Sequence, residues 1–186
     1  MFSPAAVHRL RTRTPMLVAA SAAALALAVP ASSGAAPNCS GANANPNDVP
    51  IAQSQRATLC LLNKARRAHG LRALRENGRL DLASVRHAQD MVRRDYFDHG
   101  DYLGRIRSTS YLSGARSWSV GENIAWGSEN LATPASIVNG WMHSPGHRRN
   151  ILDRSFREIG IGVARGTPAN GVQNGATYAT DFGNRG

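Results

Sequence analysis

Three side chains combine reactive type with surroundings that ask for explanation: His99, Glu122 and His147. His99 sits in the turn-like tripeptide Asp98-His99-Gly100, just past an apolar-periodic stretch. Glu122 lies between Val120 and Ile124, in a segment that otherwise demands burial, and His147 closes the run His143-Ser144-Pro145-Gly146-His147. A carboxyl group in apolar sequence needs a partner, because desolvating an isolated charge is expensive. An imidazole is a natural mate, as a donor or as a protonated ion-pair partner. Two neutral imidazoles with a carboxylate nearby also suit a divalent cation, zinc above all. A water bound to such a cation beside Glu122 would make that carboxylate a candidate general base. The plain alternative is a buried hydrogen-bond cluster with no chemistry at all.

Other candidates are weaker. His143 and His147 are four apart, yet Pro145-Gly146 forbids one continuous helix from presenting both, and the glutamate of an HExxH zinc helix is missing. Ser144 lacks the G-x-S-x-G elbow of a serine nucleophile and reads as a cap or turn residue. Asp181, in Tyr178-Ala179-Thr180-Asp181-Phe182-Gly183, reads as a strand-end charge, and its Asp-Phe-Gly has no other kinase element around it. Trp118, Trp126 and Trp141 fill a core or line a groove.

The elements that must position these residues follow from periodicity. A helical stripe of Ile51, Ala52, Leu59, Leu62 and Ala65 ends at Gly70, where a left-handed cap suits glycine. A second helix starts near Arg79 and places Leu80, Ala83, His87, Ala88 and Met91 on one face. A short third helix spans Leu103 to Tyr111. From Trp118 the period becomes two through Val120, Ile124 and Trp126, interrupted by Gly121-Glu122-Asn123. Thr133-Pro134 starts a helix with stripe Ile137, Val138, Trp141 and Met142, which Ser144-Pro145-Gly146 stops. Ile159, Ile161 and Val163, then Tyr178 to Phe182, alternate again as a hairpin turning over 167–175. Helices followed by strands mixed with one more helix predict an α+β domain with helices on a small antiparallel sheet.

The chain has 186 residues, a net charge of +10, 42% hydrophobic and 18% charged residues. That describes one globular domain and excludes a polytopic membrane protein, since there is a single apolar run, Met16 to Val29. The run is too short for a span of about 20 residues, follows Arg9, Arg11 and Arg13, and precedes small residues. Residues 1–36 therefore read as a secretory signal peptide cleaved between Ala31 and Ala36, residues 37–50 as a mobile Pro/Asn/Gly-rich leader, and 51–186 as the domain. Losing three arginines and no acid leaves +7, which favours anionic neighbours such as lipid headgroups or a cell envelope. No nucleic-acid motif is present. Export sends Cys39 and Cys60 to an oxidising compartment, and an even count there predicts one disulfide.

Taken together, the segments resemble the CAP (SCP-like) extracellular domain of cysteine-rich secretory proteins, antigen 5 and plant pathogenesis-related class 1 proteins, in its bacterial secreted branch. The resemblance covers residues 51–183. It is carried by Tyr96-Phe97-Asp98-His99, Gly121-Glu122-Asn123-Ile124-Ala125, Trp141, Ser144-Pro145-Gly146-His147-Arg148-Arg149-Asn150-Ile151-Leu152 and Ile159-Gly160-Ile161-Gly162-Val163-Ala164. It implies a three-layer α-β-α sandwich with a central antiparallel sheet and a surface cleft. In that cleft His99 and His147 match the family's metal-binding histidines, often loaded with zinc, and Glu122 matches the glutamate of its GEN motif. Ser144 stands where animal and plant members carry a second glutamate. The implied function is a secreted binding module for a lipid or cell-envelope ligand, with His99, Glu122, Ser144 and His147 lining the cleft and no organic cofactor. A metal-assisted hydrolase using Glu122 as general base, or a structural interaction module without metal, are the alternatives.

Overall fold

The computed structural model describes residues 6–10 and 38–186. The expected cleavage site between Ala31 and Ala36 and the apolar run Met16 to Val29 lie outside the described residues.

Three long strands form the centre of the molecule: β3 (Trp118–Ser128), β4 (Glu158–Arg165) and β5 (Gly175–Arg185). They pair antiparallel in the order β3-β5-β4, as the alternating patterns required. Two short strands flank them. β1 (Ala6–Leu10) pairs antiparallel with the outer edge of β3, and the two-residue β2 (Arg75–Glu76) pairs parallel with β4, so the complete sheet, in order β1-β3-β5-β4-β2, is mixed. Residues 6–10 fall within the stretch read as a removable leader, and here they supply an edge strand.

Helices cover both faces. On one, α1 (Ile51–Ala68), α4 (Pro134–His143) and α5 (Pro145–Ile151) bury Leu62, Ile137, Trp141 and Ile151 against Ile159, Ile161, Val163, Tyr178 and Phe182. On the other, α2 (Gly78–Arg93) and α3 (Tyr102–Ser108) build two smaller clusters, Leu80, Tyr102, Ile106, Tyr111 with Val120, and Ala88, Met91 with Ile124, Ala164 and Ala179. The result is the three-layer α-β-α sandwich. The glycines in Ile159-Gly160-Ile161-Gly162-Val163 have a packing reason, because a Cβ at Gly160 or Gly162 would collide with the α2 main chain at Leu80–Asp81 or Ser84–Val85. Helix α2 therefore lies unusually close to β4.

Local signals account for the helix ends. The Asn77 side chain accepts from the Arg79 N–H at the start of α2, Asp101 caps α3 at Gly104, and Thr133 Oγ1 accepts from Ser136 N ahead of Pro134. Gly70, with φ +67°, follows α1 as anticipated.

Three expectations change. β3 is continuous through Gly121-Glu122-Asn123, and all three residues are buried, because helices cover both faces and each polar side chain finds a partner in one layer or the other. Pro145 does not merely end α4; it occupies the first turn of α5, where its missing N–H costs nothing, so His147 rides on a helix. The part of the leader at 38–50 is pinned where its composition predicted mobility. Cys39 and Cys60 form the disulfide, Ala135 N donates to Ala42 O (2.8 Å), Asn45 Nδ2 reaches the carbonyls of Glu129 and Asn174, and Arg165 Nε donates to Pro46 O (3.0 Å). Closing that 21-residue separation stabilises the fold by about 3 kcal/mol.

Candidate functional site

The site is organised around Glu122, fully buried at the middle of β3. Strand alternation turns its side chain toward the α2/α3 layer, on the same face as Val120 and Ile124. His99, from the segment between α2 and α3, is 2.7 Å from Oε1 through its Nδ1. Asp98 Oδ1 accepting from Gly100 N (2.6 Å) and Gly100 at φ +51° make the turn that aims this imidazole. Arg105, on α3, donates from Nη2 to Oε2 at 2.7 Å. Both carboxyl oxygens of Glu122 are therefore engaged, one by an imidazole and one by a guanidinium.

Two further titratable groups sit beneath this pair. His87, on the buried face of α2, places Nε2 3.9 Å from Glu122 Oε1. Burial pushes its pKa down to about 4 against the upward pull of Glu122, so at neutral pH the ring is uncharged and this contact is no ion pair. Asp181 stands opposite Glu122 in the β3–β5 register. Its Oδ2 accepts from Ser84 Oγ (2.7 Å), and its own N–H donates to the same hydroxyl oxygen (3.1 Å). Burial, and then the nearby Glu122, hold its carboxyl well above the usual carboxylate range, which favours the protonated form of Asp181. Asp181 is thus no strand-end charge. It is an interior residue of an eleven-residue strand. Among the described residues, His87 Nε2, Tyr102 Oη, Arg105 Nε and Asp181 Oδ1 are buried with no hydrogen-bond partner. Four orphaned polar atoms in one neighbourhood mark a place for water or for the polar groups of a ligand.

Beside the cluster opens a groove of about 570 Å³, lined by Asp90, Arg94, Tyr96, Gly100, Arg105 and Ser108 among others. Arg105 and Tyr96, whose hydroxyl lies 3.5 Å from His87 Nδ1, belong to both the buried cluster and this groove.

His147 is carried by the opposite layer. Its Nδ1 is 2.7 Å from Ser144 Oγ, and its ring stacks at 6.5 Å on Trp141. Its carbonyl accepts from Asn123 Nδ2 (3.2 Å), while Asn150 Nδ2 reaches Glu122 O (3.2 Å) and Asn123 Oδ1 (3.0 Å). So His147 is tied to the strand that bears Glu122 through main-chain and amide contacts. The Ser144–His147 pair is local, three residues apart at the head of α5, and engages Nδ1 where a nucleophilic serine engages Nε2. Among the described residues, no three His, Cys, Asp or Glu side chains are grouped to hold a metal ion. A guanidinium 2.7 Å from the one carboxylate further opposes a second cation there. The residues present do not fit a three-ligand metal centre.

Arg105, His87 and Asp181 were not singled out as site residues from the sequence. Asp181 had a usable signal, since it shares the inward parity of Ala179 and Gly183 on β5. Arg105 had none.

Residues 59–179 match the CAP family, described as the cysteine-rich secretory protein family. The chain belongs to this family. It is 33% identical over 123 residues to YkwD of Bacillus subtilis, a match covering 66% of this chain and 44% of YkwD, and 30% identical over 113 residues to the membrane protein YlbC of the same organism, covering 60% and 32%. The chain thus spans less than half the length of these curated relatives. Among solved structures, the CAP domain resembles an extracellular SCP-domain protein of Bacillus anthracis (25% identity, TM-score 0.56, 69% of this chain and 39% of that one). An outer surface protein of Borrelia burgdorferi, at 18% identity, shares the fold (TM-score 0.60, 74% and 97%). No helix among the described residues is long and apolar enough to cross a membrane.

Proposed function

We propose that this CAP domain is a secreted binding module whose cleft, formed by His99, Glu122 and Arg105, takes an anionic group of a lipid or cell-envelope ligand. The observation that carries this reading is Arg105. Glu122 fixes one arm of its guanidinium, its Nε–H is buried without a partner among the described residues, and its side chain borders the groove. A guanidinium held in place by a buried carboxylate is preorganised for a phosphate or carboxylate, because little side-chain entropy is left to lose. Extracellular neighbours in fold and the leader-like sequence of residues 1–36 support action outside the cell.

Binding is favoured over hydrolysis because Glu122 lies fully buried and is paired with a guanidinium, which competes with a substrate water for the carboxylate. The test is calorimetric titration with short-chain phosphatidylglycerol and, separately, phosphatidylcholine. Phosphatidylglycerol is expected to bind more tightly, and Arg105→Gln to weaken it about 10- to 100-fold, as for loss of a charged hydrogen bond. Equal affinity for both lipids, or an indifferent Arg105→Gln, defeats the reading. Zinc titration of the same samples serves as a separate arm. Zinc-dependent lipid binding that is lost in His99→Ala and His147→Ala would replace the arginine reading with the metal one.

A further inference from the structure

The outer edge of β3 is covered by a segment from outside the domain. Ala6–Leu10 lies antiparallel along it, with Ala6 opposite Glu122, His8 opposite Val120 and Leu10 opposite Trp118. The segment is not held by main chain alone. His8 stacks on Tyr102 at 5.5 Å, Asn150 Nδ2 donates to Ala6 O (3.3 Å), and Arg9 forms an ion pair with Asp153. The receiving side has bonds of its own that do not involve the strand. Asp153 Oδ1 accepts from Ser155 N (2.7 Å) and Ser155 Oγ (2.6 Å), and the Asp153 carbonyl accepts from the buried Arg66 (3.0 Å), so Oδ2 is left to meet a cation. The same five residues belong to the stretch whose sequence marks it for removal on export. Without them, the edge of β3 at 118–122 would expose a row of main-chain donors and acceptors, which proteins rarely leave open unless something pairs with it.

From this we infer that the β3 edge at Trp118–Glu122 is a docking slot for an extended polypeptide that adds as an antiparallel strand and carries a cationic side chain for Asp153. Ala6–Leu10 shows the register, the direction and the charge of the occupant. Main-chain pairing supplies affinity without regard to sequence, whereas Asp153 and the Tyr102 ring select an arginine or lysine and a flat ring on neighbouring residues. The slot adjoins the cleft, since it ends opposite Glu122, but the inference does not depend on what Arg105 binds.

The buried apolar core of the described residues runs from Cys39 to Phe182, so a chain lacking residues 1–36 keeps it. The test uses residues 37–186 and the blocked peptide Ala-Val-His-Arg-Leu as probe, read by amide hydrogen exchange at 118–122 and by anisotropy of a fluorescein-tagged copy. Saturable binding with slowed exchange at those amides is expected. Peptide Arg→Glu and protein Asp153→Asn should each weaken it about tenfold, with no further loss when combined, as one shared contact requires. Replacing the peptide's Val and His with Pro removes the N–H groups of two successive residues, one of which must face β3, and should weaken binding comparably. Unchanged exchange at 118–122 with about 1 mM peptide, which is a free energy no better than about −4 kcal/mol, overturns the inference. So does binding of the Pro and Glu peptides as tight as that of the parent peptide. Failure of the lipid titration described above leaves these readouts standing.

Discussion

The two faces of the sheet hold their buried ionisable groups differently. On the α1/α4/α5 face, the buried Arg66 and Asn63 bond to main chain. Arg66, only 1% exposed, donates to the carbonyls of Arg72, Ile151, Asp153 and Phe156 at 2.7–3.3 Å, and Asn63 exchanges two bonds with Leu74. Such groups lock loops to a helix, and burial together with the neighbouring Arg157 lowers the Arg66 pKa. On the α2/α3 face, polar side chains meet one another: Glu122 with His99 and Arg105, Asp181 with Ser84, and His87 close by. Orphaned atoms occur on both faces, among them Ser54 Oγ and Asn150 Oδ1 on the first and Arg105 Nε and Asp181 Oδ1 on the second. A charge bonded only to main chain braces the fold, whereas ionisable side chains bonded to one another beside a groove are the mark of a candidate site.

The comparison breaks first at Arg66. Arg66→Ala strips four carbonyls of their donor in a packed interior, and a loss of about 3–5 kcal/mol is expected, measured by urea unfolding. A loss under about 1 kcal/mol would mean that the main-chain bonds are not structural.

The site face should show itself in acid. His87 has a folded pKa of about 4 against an ordinary 6.5, so the folded state binds fewer protons between these values. Its contribution to stability is present above pH 6.5 and lost as pH falls toward 4, by up to about 3 kcal/mol. Asp81 and Asp181, whose pKa values are raised by burial, run the other way, so the informative quantity is wild type minus His87→Gln at each pH. A difference that stays flat from pH 7 to 4 removes His87 from the cluster's electrostatics.

The smallest effect is expected at Asp181. Because burial favours its neutral form, Asp181→Asn reproduces its shape and its bond from Ser84, and stability at pH 7 should move by less than about 1 kcal/mol in thermal or chemical melts. A loss above about 2 kcal/mol would show that the native residue is ionised there.

Much of the frame was legible. The stripe Leu80, Ala83, His87, Ala88, Met91 is α2, Thr133-Pro134 starts α4, and the alternation around 159–163 and 178–182 is the β4–β5 hairpin. These are local signals, and propensity, capping and period act within a few residues. What escaped reading was non-local. Glu122 looked like an interruption because nothing in its own segment announces the guanidinium of Arg105, 17 residues earlier, or the imidazole of His99. The brief helix α5 escaped because Pro145 ends one helix and starts the next. Of the expected cleft residues, His99 and Glu122 touch, while Ser144 and His147 pair with each other in the other layer.

By itself, the order of residues determined the elements, the kinship and which side chains were out of place in apolar surroundings, since each of those is written in neighbours along the chain. Only the tertiary structure decided what those side chains do. It set Asp181 opposite Glu122 by strand register, paired that carboxylate with Arg105, and put His147 on the far layer. Partners drawn from separate elements are chosen by packing and desolvation, and these act across space after the chain has folded.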